Sequence, residues 1–312
     1  MPLISSCIHC GNTNLASCFS ASDVNMKLGG EFHYSKCRNC GLLFINPMPG
    51  KEIMDRHYPK DEYYSYSTID TESFSTKARK LLYDLFFRPG NRNYLLKCIL
   101  FPMKIFSRSA HIVKNTRLLD IGCGSGQFLH EMKSFGVQTY GVEPGVFPDE
   151  NSKQNGLDIF CGNLLDAQYP DARFDIVTMN HVLEHVHNPR EILCEIRRIL
   201  KPGGRFIVAV PNTRSLAFRL FGKNWYQLDT PRHLVMYSDH ILASMLGQTG
   251  FKILSVRFNS GPRQFSFSAA NAIGKPWMRK YPIFLDIPGL ILAYLVNIFR
   301  FGDQFEMICI KE

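Results

Sequence analysis

The stretch Leu118–Gly126, LLDIGCGSG, is an apolar run that ends on an acid and opens into a glycine-rich turn. Leu118 and Leu119 fit the end of a strand buried on both faces, and Asp120 and Ile121 close it. Gly122, Gly124 and Gly126 let the backbone turn sharply and come close to a ligand. The residues that follow, Gln127 to Phe135, place Phe128, Leu129 and Met132 on one face of a helix. Strand, glycine turn and helix in that order form a nucleotide-sized cofactor site. A dinucleotide fingerprint would space its glycines as GxGxxG, whereas here they fall as GxGxG with Gln127 next. That spacing favours a different adenosine cofactor over NAD.

Downstream, strands and helices alternate. Thr139–Val142 reads as a second strand ending on Glu143, and Gly162, Asn163 and Leu164 follow a short third one. FDIVTMN, Phe174 to Asn180, reads as a buried fourth strand that delivers Asn180 to the carboxyl edge, where open α/β sheets bind ligands. Asn188 and Pro189 open a helix carrying Ile192, Leu193, Ile196, Ile199 and Leu200. Lys201–Gly204 stops it, and RFIVAVPN reads as the fifth strand. Ser238 caps a further helix that Gly250 ends, FKILSVRF gives a sixth strand and FEMICIKE a seventh. The motifs DxGCGSG and KPGGRFIVAVPN, in this order, resemble the class I S-adenosylmethionine (SAM) methyltransferases. The resemblance implies an α/β fold with a Rossmann-like seven-stranded sheet, its last strand antiparallel between the fifth and sixth, and SAM as cofactor. It further implies that Gly122, Gly124 and Gly126 lie around the cofactor's amino-acid portion, that Asp120 is a cofactor-binding residue beside them, and that Glu143 holds the ribose hydroxyls, since a carboxylate suits a diol. Asn163 and Leu164 would flank the adenine, with Asp166 the nearest acid to the aspartate the family often carries at position 163, and Asn180 would complete the cofactor edge.

Cys7-x-x-Cys10-Gly and Cys37-x-x-Cys40-Gly are two matching knuckles. Four sulfurs at this spacing read as one structural zinc site. Disulfides are the alternative, disfavoured because Met1–Cys10 lacks the charged start and apolar run of an export signal, which leaves a cytoplasmic setting where thiols stay reduced. The knuckles and GLLFINPMP resemble the zinc ribbon that precedes some methyltransferases acting on sugars and related metabolites. The expected organisation is a zinc-ribbon module at 1–47, a helical lid or linker at 48–112 and a SAM-binding domain at 113–312. Metal binding would supply the small module with on the order of 10 kcal/mol of folding energy. In related enzymes the linker covers the cleft, and here it carries Tyr58, Tyr63, Tyr64 and Tyr66. Its helical stretch Asn93–Ser107 reads either as a membrane-surface helix or as a core-facing or lid helix in which Met103 and Phe106 are packing residues.

The net charge of +9 reads as dispersed along the chain. It is compatible with an anionic small molecule or an acidic membrane surface, and nucleic acid is not an expected partner. The best candidate span, Pro282–Phe299, is interrupted by Asp286 and Pro288, so no transmembrane helix is expected. Methyl transfer asks mainly for alignment, but an alcohol acceptor must also lose its proton. Candidates for that base are His233 and His181. One reading has Glu184 and His185 holding the loop together while His181 or His233 acts as base. In a second, Glu184, His185 and His233 gather around a divalent cation, as in the metal-dependent methyltransferases of small-RNA terminal riboses, and in a third the histidines are ordinary loop residues. The acceptor implied by the resemblance is a nucleotide-linked or lipid-linked sugar. The alternatives are a quinone-like metabolite, or a binding protein that keeps the fold without catalysis.

Overall fold

The computed structural model describes residues 3–59, 69–71, 73–110, 112–145, 155–274 and 283–312. Tyr63, Tyr64 and Tyr66, expected over the cleft, lie outside the described residues.

The amino-terminal knuckles flank a hairpin of β1 (Leu15–Ser22) and β2 (Glu31–Cys37), paired antiparallel from Leu15 opposite Cys37 to Ser22 opposite Glu31. β3 (Leu43–Ile45) adds antiparallel to β2, and all three of its residues are buried. Its other edge is taken by Val235–Met236, a strand from far down the chain. The small sheet is therefore completed by the larger part of the protein.

Three helices follow: α1 (Lys51–Arg56), α2 (Phe74–Phe87) and α3 (Tyr94–Leu100). Ser73 starts α2 by accepting a hydrogen bond from the Thr76 amide, and Leu82, Tyr83 and Leu85 bury its inner face. α3 buries none of its residues, and Met103 just beyond it is exposed. Met103 is therefore not the packing residue expected of it, although α3 lies against α2 with Leu96 and Leu100 partly covered; the Phe106 side chain lies outside the described residues.

The central sheet contains β4 (Arg117–Ile121), β5 (Gln138–Glu143), β6 (Asp158–Cys161), β7 (Phe174–Asn180), β8 (Leu200–Pro211), β10 (Phe251–Phe258) and β11 (Gln304–Lys311), with β9 being the short strand Val235–Met236. Its order is β6-β5-β4-β7-β8-β11-β10, and β11 runs antiparallel to both neighbours. α4 (Gln127–Lys133), α5 (Pro189–Ile199), α6 (Leu216–Phe221), α7 (Asp239–Gln248), α8 (Arg263–Ala272) and α9 (Ile283–Ile298) are the remaining α-helices among the described residues. This is the class I methyltransferase sheet the sequence pointed to. FDIVTMN forms β7 with the expected bounds because it is apolar on both faces. The helix stops before Lys201 as expected, and the turn at Lys201–Gly204 is a bulge within β8, which pairs Leu200 with Phe174, loops out, and re-pairs at Arg205 opposite Ile176. Gly203 there has φ of +72°, which glycine adopts without strain. Among the described residues no helix is long and apolar enough to cross a membrane.

Candidate active site

β4 ends in the glycine turn at the carboxyl edge of the sheet, and its three glycines have φ of +68° (Gly122), +54° (Gly124) and +89° (Gly126). Two of them are also tied down by packing. A Cβ on Gly122 would stand 2.3 Å from Val182 Cγ2, and one on Gly126 would stand 2.6 Å from Leu157 Cδ1. Val182 belongs to the loop after β7, so that loop rests directly on the glycine turn. Glu143, at the end of β5, accepts hydrogen bonds from the Gly124 amide at 2.9 Å and the Gly145 amide at 3.2 Å. Burial raises its pKa above the ordinary carboxyl value, the two amides work against that, and the Asp120 charge adds to it. Each Glu143 oxygen keeps a lone pair beyond its amide contact, which fits a diol donor such as ribose.

Asp120 lies beneath the turn, accepting from Arg108 Nη2 at 2.7 Å, Arg108 Nη1 at 3.3 Å and Thr178 Oγ1 at 2.5 Å. The guanidinium in turn stacks 3.8 Å over the Phe128 ring. A buried acid needs a cation, but nothing in the sequence pattern says which one, so Arg108 escaped sequence reasoning. Asn163 and Leu164 follow β6, with Leu164 buried and Asn163 exposed, its amide and side chain donating to Asp166. Asn180 ends β7 at the same edge as the glycine turn.

The loop after β7 gathers the second group. Glu184 is fully buried, and its Oε1 lies 3.2 Å from His181 Nδ1 and 3.8 Å from His233 Nε2. Among the described residues its Oε2 has no hydrogen-bond partner. His181 places Nε2 2.9 Å from Gln304 Oε1, an orientation fixed because Gln304 Nε2 donates to the Asn259 carbonyl. Both of its ring nitrogens therefore face acceptors, the geometry of an imidazolium. Burial lowers its pKa, but the hydrogen bond and charge of Glu184, with Gln304 and Asp303, more than offset this and raise it. Both nitrogens are thus engaged by protein oxygens. His233 is also buried, but its Nδ1 lies 2.8 Å from the Gln227 carbonyl, which can only accept. Nδ1 thus carries hydrogen and Nε2 a lone pair when the ring is neutral. His185 repeats this: Nδ1 lies 2.9 Å from the Arg232 carbonyl and 2.7 Å from the Tyr58 hydroxyl. Burial, reinforced by His233, lowers its pKa to about 4, so the His185 ring is neutral near pH 7. One donor atom each from Glu184, His185 and His233 falls within a 4.8 Å cluster.

The four cysteines converge as well. Cys7 and Cys40 sulfurs are 3.5 Å apart and Cys10 and Cys37 sulfurs 3.6 Å, far beyond the roughly 2.05 Å of a disulfide. The knuckles share one geometry: the Gly11 amide donates to the Cys7 carbonyl and the Gly41 amide to the Cys37 carbonyl, both at 2.9 Å. Zinc–sulfur bonds of about 2.3 Å in a tetrahedron set sulfurs about 3.8 Å apart, so the set fits a zinc ion.

A family model described as a methyltransferase domain matches residues 90–256. The chain belongs to the methyltransferase domain family. This methyltransferase is SAM-dependent. A ubiquinone biosynthesis O-methyltransferase of Maricaulis maris is 28% identical over 182 residues, 53% of this chain and 72% of that protein. Another of Cereibacter sphaeroides is 35% identical over 124 residues, 37% of this chain and half of that protein's length. Among solved structures, the cyclase SpnF shares the fold with a TM-score of 0.51 at 17% identity, covering 85% of this methyltransferase and 97% of its own chain.

Proposed function

We propose that this methyltransferase transfers the SAM methyl group to a hydroxyl oxygen of a small hydroxylated aromatic of the quinone-precursor type. The observation that carries the reading is the cluster of Glu184, His185 and His233 on a loop resting against the glycine turn, a group able to take a hydroxyl proton. The relatives' names, ubiquinone biosynthesis O-methyltransferases, support oxygen as the methylated atom. The nucleotide-linked or lipid-linked sugar reading rests on resemblance of the amino-terminal module alone, and no relative reported above is named for a sugar.

In this reading the turn at Gly122, Gly124 and Gly126 holds the cofactor's amino-acid portion, Glu143 its ribose, and Asn163, Leu164 and Asn180 complete the pocket. Bound SAM supplies an electrophilic methyl carbon. His233 Nε2 accepts the hydroxyl proton, while the Gln227 carbonyl fixes the tautomer and Glu184 stabilises the imidazolium that forms. His181 hydrogen-bonds the Glu184 carboxylate and holds it in place. Cys7, Cys10, Cys37 and Cys40 hold a structural zinc ion.

A second reading has its own observation. The unpartnered Glu184 Oε2 and the imidazole lone pairs of His185 and His233, whose Nδ1 atoms both sit on backbone carbonyls, form a donor set for a divalent cation. Methyl-labelled SAM offered with a hydroxylated aromatic and, separately, a nucleotide-linked sugar tests the proposal. Label on the aromatic oxygen is expected, and transfer to the sugar alone overturns the acceptor class. His233→Ala should lower turnover about 100-fold or more with SAM affinity unchanged. If EDTA abolishes turnover and magnesium restores it, the cation reading replaces the base reading.

A further inference from the structure

Net charge is concentrated in one part of this chain, against the dispersed pattern expected of it. Lys77 to Lys114 contains nine lysines and arginines and one acid, Asp84, a balance of +8 within a chain whose total is +9. Two of these cations are spent inside the molecule, Arg79 on Glu131 and Arg108 on Asp120, and Arg88 pairs with Asp84. Lys77, Arg92 and Lys114 are exposed and take part in no ion pair among the described residues.

Large apolar side chains stand among these charges. Tyr94 is 69% exposed, Leu95 75%, Ile99 62% and Phe101 60%. Leu95 and Ile99, four residues apart, lie on one face of α3. On α2, Phe74 is 88% exposed one turn before Lys77. α3 lies against α2, and Lys104, just beyond α3, places Nζ 5.5 Å over the Phe86 ring and 5.6 Å over the Phe87 ring of α2. Soluble proteins rarely leave so much apolar surface together without a use for it. A nucleic acid would account for the cations, but not for aliphatic side chains held out in solvent. An interface that is both fatty and anionic satisfies both.

We propose that this face of α2 and α3 docks on an anionic phospholipid bilayer, with Leu95, Ile99 and Phe101 entering the headgroup–acyl boundary and Lys77 and Arg92 resting against lipid phosphates. Docking does not depend on the acceptor's identity. Co-sedimentation of the full chain with sucrose-loaded vesicles tests it, comparing phosphatidylcholine alone with phosphatidylcholine mixed with phosphatidylglycerol. The expected result is sedimentation with the anionic vesicles, weakened by added salt, and little with the neutral ones. The double variant Lys77→Glu, Arg92→Glu should reduce partitioning about tenfold or more, since each basic residue near the surface contributes about fivefold. Leu95→Asp with Ile99→Asp should reduce it similarly. Calorimetry showing wild-type SAM affinity in both variants establishes that they are folded. Equal binding to neutral and anionic vesicles, wild-type binding by the aspartate variant, or capture of an RNA duplex with none by vesicles overturns the proposal.

Discussion

Glu143 carries two duties through one carboxylate, because the amides it accepts belong to the turn and to the loop after its own strand. Glu143→Ala should therefore weaken SAM by about 1.5–3 kcal/mol, the range for hydrogen bonds to a charged group, as read by calorimetry. Gly124→Val forces a branched residue into φ of +54° and should abolish binding in a chain that still folds. Wild-type affinity in either variant would remove the main support for this cofactor site. These residues were legible in the sequence because acid and glycines occupy the ends of strands whose apolar runs are plain. The proton-accepting order of the histidines was not legible, since it depends on the Gln227, Arg232 and Gln304 oxygens that fold back onto them. Asp303 offers a separate test by pH. Burial raises its pKa to about 6, against hydrogen bonding from Ser260 and the nearby His181 charge. A raised carboxyl favours folding while protonated, so its contribution is present below about pH 4 and is lost as pH rises through about 6. Asp303→Asn should then gain on the order of 2 kcal/mol at pH 8 relative to the wild type, with the two curves converging near pH 4, as measured by urea unfolding.

Among the elements, the connection from α6 to β9 does more than return the chain. Arg232 on it is fully buried and donates to Asp229 on its own loop at 2.6 Å and to Asp23 beyond β1 at 2.9 Å. His57, after α1, places Nδ1 3.1 Å from the same Asp23. Burial opposes ionisation of Asp229, yet Arg232 and His233 outweigh it and lower its pKa to about 2. Removing one partner of such a group strands buried charge, so Arg232→Met should destabilise the fold by about 3–5 kcal/mol in denaturant unfolding. A loss under 1 kcal/mol would mean that the two aspartates find other partners. Long periodic elements such as β7, α5 and β10 were readable from their apolar spacing. β9 was not, because a strand of two residues has no period to detect, and its place is set by the exposed edge of β3.

On the scale of the molecule, the amino-terminal module and the SAM-binding part share one core. Phe44 of β3 pairs with Val235, the Tyr34 hydroxyl meets Thr230 Oγ1 at 2.9 Å, and the apolar cluster runs from Cys7 and Tyr34 through to Val208 and Met307 without a break. The boundary expected at residue 47 separates knuckle chemistry from cofactor chemistry, but the packing crosses it. That continuity changes what metal loss should do. An isolated zinc ribbon depends on its ion for most of its folding energy and would melt alone. Here the knuckles hold β2 and β3, those strands hold β9, and β9 continues from the loop that presents His233. Protein purified without added zinc should contain about one equivalent per chain. Cys37→Ser should lose that metal and lower the melting temperature of the whole chain in a single transition, with the added stability conferred by SAM reduced in parallel. Differential scanning calorimetry with and without SAM separates the cases: an early transition confined to the module, followed by a SAM-dependent one at the wild-type temperature, would show that the two parts unfold independently despite their common core.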